Sequence, residues 1–389
     1  MNKITVSSKD LLKALKQTKP ALATPSNGLY GFYRYYVFES VGKDVLTVKA
    51  ADGMWWSITR SIDATIESSE PILFAVYGSY LYRILRLLLD EEITILCYDS
   101  QVEITHQTGS FFLPVEKREP EINVIELDKY KITRFEVPVL RRCLELTTEV
   151  EAEDFLRPIL NGVCFDFQDK TPNIIATDGH VLSSIKVTSG CHTEHTDGSF
   201  VMPKEIAFSL QKILPKAGWC RILTNENEIL VFVTDDTGID RITIKGKTID
   251  GKFPNWRNVI PSHFEMSAKV NRKDFIMAVK RTAVFAPPSN LLKCSLKTGE
   301  DFMSVSSKDG DFEHGATEHV SVEFDSLPSG NADYEIGFSW KSLQRITKHL
   351  SGETIILNMN NTNGACTISQ DSREADDATF LIMPMYIGK

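Results

Sequence analysis

The sequence predicts an α+β protein assembled from three copies of one domain. Three observations predict it. An Asp-Gly step follows a strand-like run at Asp52-Gly53, Asp178-Gly179 and Asp309-Gly310, and a spacing of about 130 residues is that of a domain, not of a solenoid repeat. A helix-like segment stands before each step and a second one after it. A short apolar run then follows each second helix: ITILCY at 93–98, CRILT at 220–224 and TIILN at 354–358.

The first helices lie over 8–17, 137–145 and 271–280. Their apolar residues fall four apart: Leu11 and Leu15, Val139 and Cys143, Phe275 and Val279. That spacing marks one buried stripe per helix, with Lys and Arg on the opposite face. The second helices start near Tyr77, Pro203 and Ser339. Leu81, Ala207 and Leu343 take matching places in them, as do Ile84, Leu210 and Ile346. The copies divide the chain into domains at 1–125, 131–258 and 263–389. Between them lie a charged stretch, 115–130 with Pro120, and a second one, 251–262 with Pro254 and Pro261. Both are expected to be exposed linkers.

The chain has 42% hydrophobic and 24% charged residues, ordinary values for a soluble globular protein. No run approaches the roughly 18 apolar residues of a membrane span. The start, MNKITVSSK, reads as a first strand and not as a leader. The seven cysteines form no CxxC pair and are odd in number, so they read as reduced core thiols of a cytoplasmic protein.

Candidate chemistry is sparse. Asp178 and His180 could form an acid–base pair, as in a hydrolase, but the Asp-Gly step recurs without His in the other copies. A turn role explains it better. Cys191, His192 and His195 resemble half of a metal site, yet they sit in a polar stretch with no second ligand pair nearby, which predicts a solvated loop. GxGxxG, GxxxxGK[ST], GxSxG and HExxH are all missing. The net charge of −9 argues against nucleic acid, but cations collect on the repeated helices while acids collect in loops and connectors. A chain that is acidic overall can still offer phosphate one basic face.

Four segments carry a family resemblance. RPILNGVCF (157–165) is similar to an R-x-x-LNG-V-x-F strand, ATDGHVL (176–182) to ATDGHRL, GKFPNWRNVIP (251–261) to G-x-FPDYRRVIP, and FLIMPMYI (380–387) to a closing Y-x-IMPMRL. Together with the threefold repeat, they make the chain resemble the bacterial DNA polymerase III beta subunit family, the replicative sliding clamps. The first copy diverges most, with GLYGFYRYY (28–36) where the family is usually aliphatic.

The resemblance implies a DNA clamp fold, with each domain a pair of helices backed by β-sheets and two chains closing head to tail into a homodimeric ring. It implies sequence-independent binding of double-stranded DNA through Lys13, Arg83, Arg142, Lys212, Lys280 and Arg345. Ring contacts would involve Phe111 and Leu113 on one chain and Val284 and Phe285 on the other. It also implies a pocket for short peptides of the replicative polymerase alpha subunit, the clamp loader, other polymerases and repair proteins. That pocket would include Leu160, Thr177, Gly179, His180, Leu182, Pro254, Val259, Ile382, Met383, Pro384 and Met385, with Ile382, Pro384 and Met385 facing the peptide and Leu381 and Met383 entering the core. Val181, Asn258 and Tyr386 stand where the family usually has Arg, so the rim is less basic. No catalytic residue, metal or cofactor is expected.

Overall fold

Each helix begins directly where a strand ends, and at three of these junctions a polar residue takes over the first free amides. Ser7 Oγ accepts from the Asp10 amide, Asn271 Oδ1 from Lys273 and Asp274, and Ser339 Oγ from Ser342, the usual role of an N-cap. The computed structural model describes residues 2–22, 34–53, 55–116, 126–150, 152, 154, 156–169, 171–235, 237–297, 299–308, 314–326, 334–360, 364–370 and 377–387. The third Asp-Gly step, Asp309-Gly310, lies outside them, as do 117–125 of the first connector.

The first copy runs β1 (Asn2–Ser7), α1 (Ser8–Thr18), β2 (Tyr35–Val41), β3 (Val45–Ala51), β4 (Trp56–Asp63), β5 (Thr65–Glu67), β6 (Leu73–Tyr77), α2 (Gly78–Leu85), β7 (Glu92–Cys97), β8 (Gln101–His106) and β9 (Gly109–Glu116). The second repeats this order as β10 (Lys131–Glu136), α3 (Val137–Thr147), β11 (Gly162–Asp166), β12 (Asn173–Thr177), β13 (Val181–Lys186), β14 (Cys191–Thr193), β15 (Ser199–Pro203), α4 (Lys204–Ile213), β16 (Trp219–Thr224), β17 (Glu228–Thr234) and β18 (Asp240–Lys247). The third is β19 (Met266–Asn271), α5 (Arg272–Ala283), β20 (Leu291–Leu296), β21 (Phe302–Lys308), β22 (Gly315–Ser326), β23 (Tyr334–Ser339), α6 (Trp340–His349), β24 (Thr354–Met359), β25 (Cys366–Gln370) and β26 (Asp377–Ile382).

The first helices share a finer pattern than i, i+4. Leu11, Ala14, Leu15 and Thr18 are matched by Leu140, Cys143, Leu144 and Thr147, and by Phe275, Ala278, Val279 and Thr282, and all twelve are buried. Each threonine donates to the carbonyl four residues earlier, at 2.8–2.9 Å. In α3 the stripe is therefore shifted from expectation. Cys143 is buried, but Leu140 and Leu144 carry the contact while Val139 is only half-buried.

The chain forms two compact units. One comprises residues 1–141, 190–195 and 205–248, the other 142–189, 196–204 and 249–389. The first holds an antiparallel sheet in the order β14-β10-β16-β17-β18-β4-β3-β2-β6-β9-β8-β7-β1-β5, the second one in the order β15-β11-β12-β13-β26-β25-β24-β19-β22-β21-β20-β23. The central copy thus gives strands to both. Copies are sewn edge to edge: β4 pairs with β18 (Ile58↔Ile244) and β13 with β26 (Leu182↔Leu381). By the same logic, β9 in the first copy and residues 315–321 of β22 in the third are the matching edges left over. Among the described residues, β9 pairs along its length only with β8, touching β6 at Val115 and Glu116, and residues 315–321 pair only with β21.

Two further expectations are corrected. Residues 251–262 are only in part an exposed connector: Phe253 and Trp256 are buried in a cluster with Leu160, Cys164, Ile175, Leu182 and Leu381, while Lys252, Pro254, Asn258 and Val259 are exposed. Apolar side chains of that size are drawn under cover wherever a cluster can accept them. Residues 191–193 are not loop but β14, paired to β10 at Phe135 and Arg134. His192 stacks on Trp219, His195 Nε2 lies 3.0 Å from Thr224 Oγ1, and no metal-binding group stands together among the described residues. All seven cysteines are unpaired. Burial pushes the thiols of Cys97, Cys191, Cys294 and Cys366 up to about 12, so they stay protonated at neutral pH. Among the described residues no helix is long and apolar enough to cross a membrane.

Candidate partner-peptide site and basic helix faces

The Asp-Gly step after β12 is a closed turn. Asp178 Oδ1 accepts from the amides of His180 at 2.8 Å and Val181 at 2.7 Å. Thr177 Oγ1 donates to the Val181 carbonyl and accepts from the Gly179 amide. Gly179 has φ +89°, which favours glycine, and a Cβ there would lie 3.2 Å from the Arg157 guanidinium and displace it slightly. In the first copy Asp52 Oδ1 holds the Trp55 and Trp56 amides in the same way. The second oxygen of Asp178 is bound by Arg345 at 2.6 Å. Asp178 is therefore a turn builder and not the partner of an imidazole.

Under this turn Leu160, Leu182 and Leu381 share the apolar cluster with Phe253 and Trp256. Trp256 Nε1 donates to Asp166 Oδ2 at 2.8 Å and Arg257 Nη1 to the same oxygen at 2.6 Å, while Arg257 Nη2 reaches Asp169. Burial pushes the Asp166 carboxyl up, but the Gln168 amide, the indole and the guanidinium outweigh it and hold its pKa below the usual carboxylate range. These bonds fix the 3-10 turn Trp256–Val259, from which Val259 emerges half exposed.

The closing segment departs from alternation. Leu381 and Ile382 are both buried, at 3% and 1% exposure, while Met383 is 40% exposed. Core and surface parity are thus the reverse of expectation at 382 and 383. β26 has a strand on each side, β13 and β25, and it is covered on both faces, so period-two reasoning fails there. Beyond it the Met383 amide donates to the His180 carbonyl and the Met385 amide to the Gly337 carbonyl, each at 2.8 Å. A Cβ on Gly337 would sit 2.6 Å from the Met385 carbonyl and from Ile387.

The structure thus gathers the expected residues into one region of one unit. Leu160, Thr177, Leu182 and Ile382 lie beneath it, and Gly179, His180, Pro254, Val259 and Met383 are exposed. Pro384 and Met385 are half-buried beside Gly337. Sequence reasoning missed Leu156, 93% exposed next to Arg157, and the Asp154–Arg157 ion pair at 2.7 Å. Of the departures from family pattern, Val181 is buried opposite Ile382, whereas Tyr386 is 83% exposed.

The helices place their cations as their stripes dictate. Lys13, Arg83, Lys212 and Lys280 are exposed, while Arg142 and Arg345 are half-buried. The Lys212 ammonium lies 3.7 Å over the Phe208 ring. On β9, Leu113 is buried, Phe111 stacks on His106 and Phe112 is 57% exposed. At the end of α5, Val284 is 77% and Phe285 38% exposed, and the preceding Arg281 makes a two-pronged contact with Glu318 on the open edge of β22. The sequence reading omitted Phe112, and also Leu87 and Leu89, which are 85% and 78% exposed after α2.

Comparison with known proteins matches this arrangement. Residues 135–255 fit the central-domain model of the DNA polymerase III beta subunit and residues 257–386 its C-terminal-domain model. The beta sliding clamp of Pseudomonas putida is 23% identical over 64% of each chain, so the chain spans just under two thirds of that relative's length. The Rickettsia bellii clamp is 24% identical over 89% of this chain and 90% of its own. Among solved structures, the Pseudomonas aeruginosa clamp superposes over the whole of both chains with a TM-score of 0.85 at 19% identity. The Bartonella birtlesii clamp, solved with griselimycin bound, does so with 0.87 at 20%, likenesses that speak for the fold. With two domain models matched in order over 135–386, and the same succession of strands and helices found a third time in residues 2–116, the chain belongs to the DNA polymerase III beta subunit family of sliding clamps.

Proposed function

We propose that this protein encircles duplex DNA as a head-to-tail dimer and tethers the replicative polymerase to it, without catalysing a reaction itself. The observation that carries this reading is the pair of leftover strand edges. The joints β4–β18 and β13–β26 use up the matching edges between copies, and β9 and residues 315–321 of β22 remain. Two chains joined β9 to β22 satisfy both edges twice over and close a head-to-tail set. Phe111 and Phe112 on one side then meet Val284 and Phe285 on the other, with Leu113 backing the edge from within. Lys13, Arg83, Lys212 and Lys280 contact phosphate without reading bases, and the half-buried Arg142 and Arg345 contribute less. Tethering raises the polymerase's effective concentration at the primer end.

The region around His180, Val259 and Met383 takes the apolar anchors of short peptides from the polymerase alpha subunit, the clamp loader and other polymerases and repair proteins. Tyr386 in place of a cation shifts its preference from acidic toward aromatic or aliphatic peptides. The test loads the protein on a nicked plasmid. Linearising the DNA releases a sliding ring, and blocking both ends retains it. Stable, sequence-dependent retention on open linear DNA overturns the reading. Removing residues 383–389 abolishes binding of a polymerase-tail peptide and leaves the dimer intact.

A further inference from the structure

Arg345 belongs to two places at once. Its Nη2 donates to Asp178 Oδ2 at 2.6 Å and its Nη1 to the Glu149 carbonyl at 3.2 Å. The other oxygen of Asp178 holds the His180 and Val181 amides that shape the turn. Arg345 also lines a groove of about 850 Å³ between α5 and α6, together with Arg272, Lys273, Lys280, Lys348 and Glu149. Lys348 spends its charge on Glu149 at 2.6 Å, as Arg345 does on Asp178. Five cations facing one carboxylate in an open groove draw phosphate in, and a guanidinium fork binds phosphate oxygens at least as readily as a carboxylate.

We propose that Arg345 is a positioning residue for the Asp178–Val181 turn, and that a phosphate group taken up in the α5–α6 groove withdraws it, so that groove and turn are coupled with negative sign. The significance of the turn rests on the peptide-site reading above. Linkage makes the effect mutual: a ligand that needs the ordered turn weakens the hold of the groove on phosphate by the same factor. A partner docking at the turn thereby loosens one of the grips on DNA.

The experiment reads hydrogen exchange at the His180 and Val181 amides of the full-length protein, at constant ionic strength, with inorganic pyrophosphate as probe. Saturating pyrophosphate raises exchange of these two amides about fivefold, the size expected for losing one such ion pair, and leaves the Ser183 and Ile185 amides unchanged. R345Q raises it equally without pyrophosphate and no further with it. R345K, which keeps the charge but loses the fork, falls between. Unresponsive amides in the wild-type protein overturn the proposal, as does a pyrophosphate effect that survives in R345Q. Failure of the wild-type protein to bind any polymerase-tail peptide defeats the peptide-site reading instead, and leaves this measurement standing.

Discussion

Asp166 shows how much one carboxylate can organise. It is 3% exposed and accepts from the Gln168 amide, the Trp256 indole and the Arg257 guanidinium. Replacing it with Asn keeps a partner for the indole but takes the charged partner from Arg257 Nη1 and leaves that guanidinium only Asp169, a loss of about 1–3 kcal/mol for a charged hydrogen bond. Because the folded carboxyl titrates below its usual range, its stabilisation is complete above the unfolded pKa of about 4 and is lost as pH falls through the folded value. D166N therefore melts below wild type by a constant interval above about pH 5, and the two curves converge as the pH falls below about 4 and through the folded value. Calorimetry across that range checks it, and an interval that persists at the acid end counts against the assignment. Asp178 and Gly179 were legible in the sequence as a turn, since the signal is local and recurs. Arg345 on Asp178 and Arg257 on Asp166 were not. Those partners lie 167 and 91 residues apart, and an ion pair at that range leaves no mark in neighbouring residues.

Among the elements, order and type could be read while facing could not always be. The strand-helix succession was visible because Leu11, Leu15, Phe275 and Val279 repeat at helical spacing. The threonine that closes each stripe, Thr18, Thr147 and Thr282, was in plain view and would have set the register of α3 correctly. Leu381 and Ile382 defied alternation because a strand with neighbours on both sides and cover on both faces has no solvent side to mark. The tail past β26 depends on Gly337, where the Met385 carbonyl comes too close for any side chain. G337A forces the tail from β23, at about 1–3 kcal/mol for an overpacked site. Expected are faster proteolysis after Ile382 and weaker binding of a polymerase-tail peptide, with the far-UV spectrum unchanged. Wild-type cleavage rates in G337A would mean that the tail is held elsewhere.

For the whole molecule, assembly is the decisive question. A carboxylate at Phe285, which is 38% exposed beside the open β22 edge, would be buried unpaired in a closed dimer at a cost of several kcal/mol. F285D is expected to run as a folded monomer by light scattering. A dimer of unchanged stability would move the interface off this edge.

The joints between copies have a further consequence for how the chain comes apart. A repeat in the sequence is not here a unit of folding. Residues 131–258 look like one domain, yet β10, β14 and β16–β18 hydrogen-bond into the sheet of the first copy, and β11–β13 and β15 into that of the third. Cooperative opening follows hydrogen-bonded contiguity and not ancestry. In native-state exchange, β17 amides should share the opening energy of β3, and β12 amides that of β25. Equal protection throughout the central copy would instead restore it as an autonomous foldon. A fragment cut at either connector leaves a long interior strand suddenly at an edge, β4 or β13, and bare edges recruit one another. Single copies of this domain should therefore aggregate where the intact chain stays dispersed, so that a threefold chain of this kind cannot shed a copy and remain soluble.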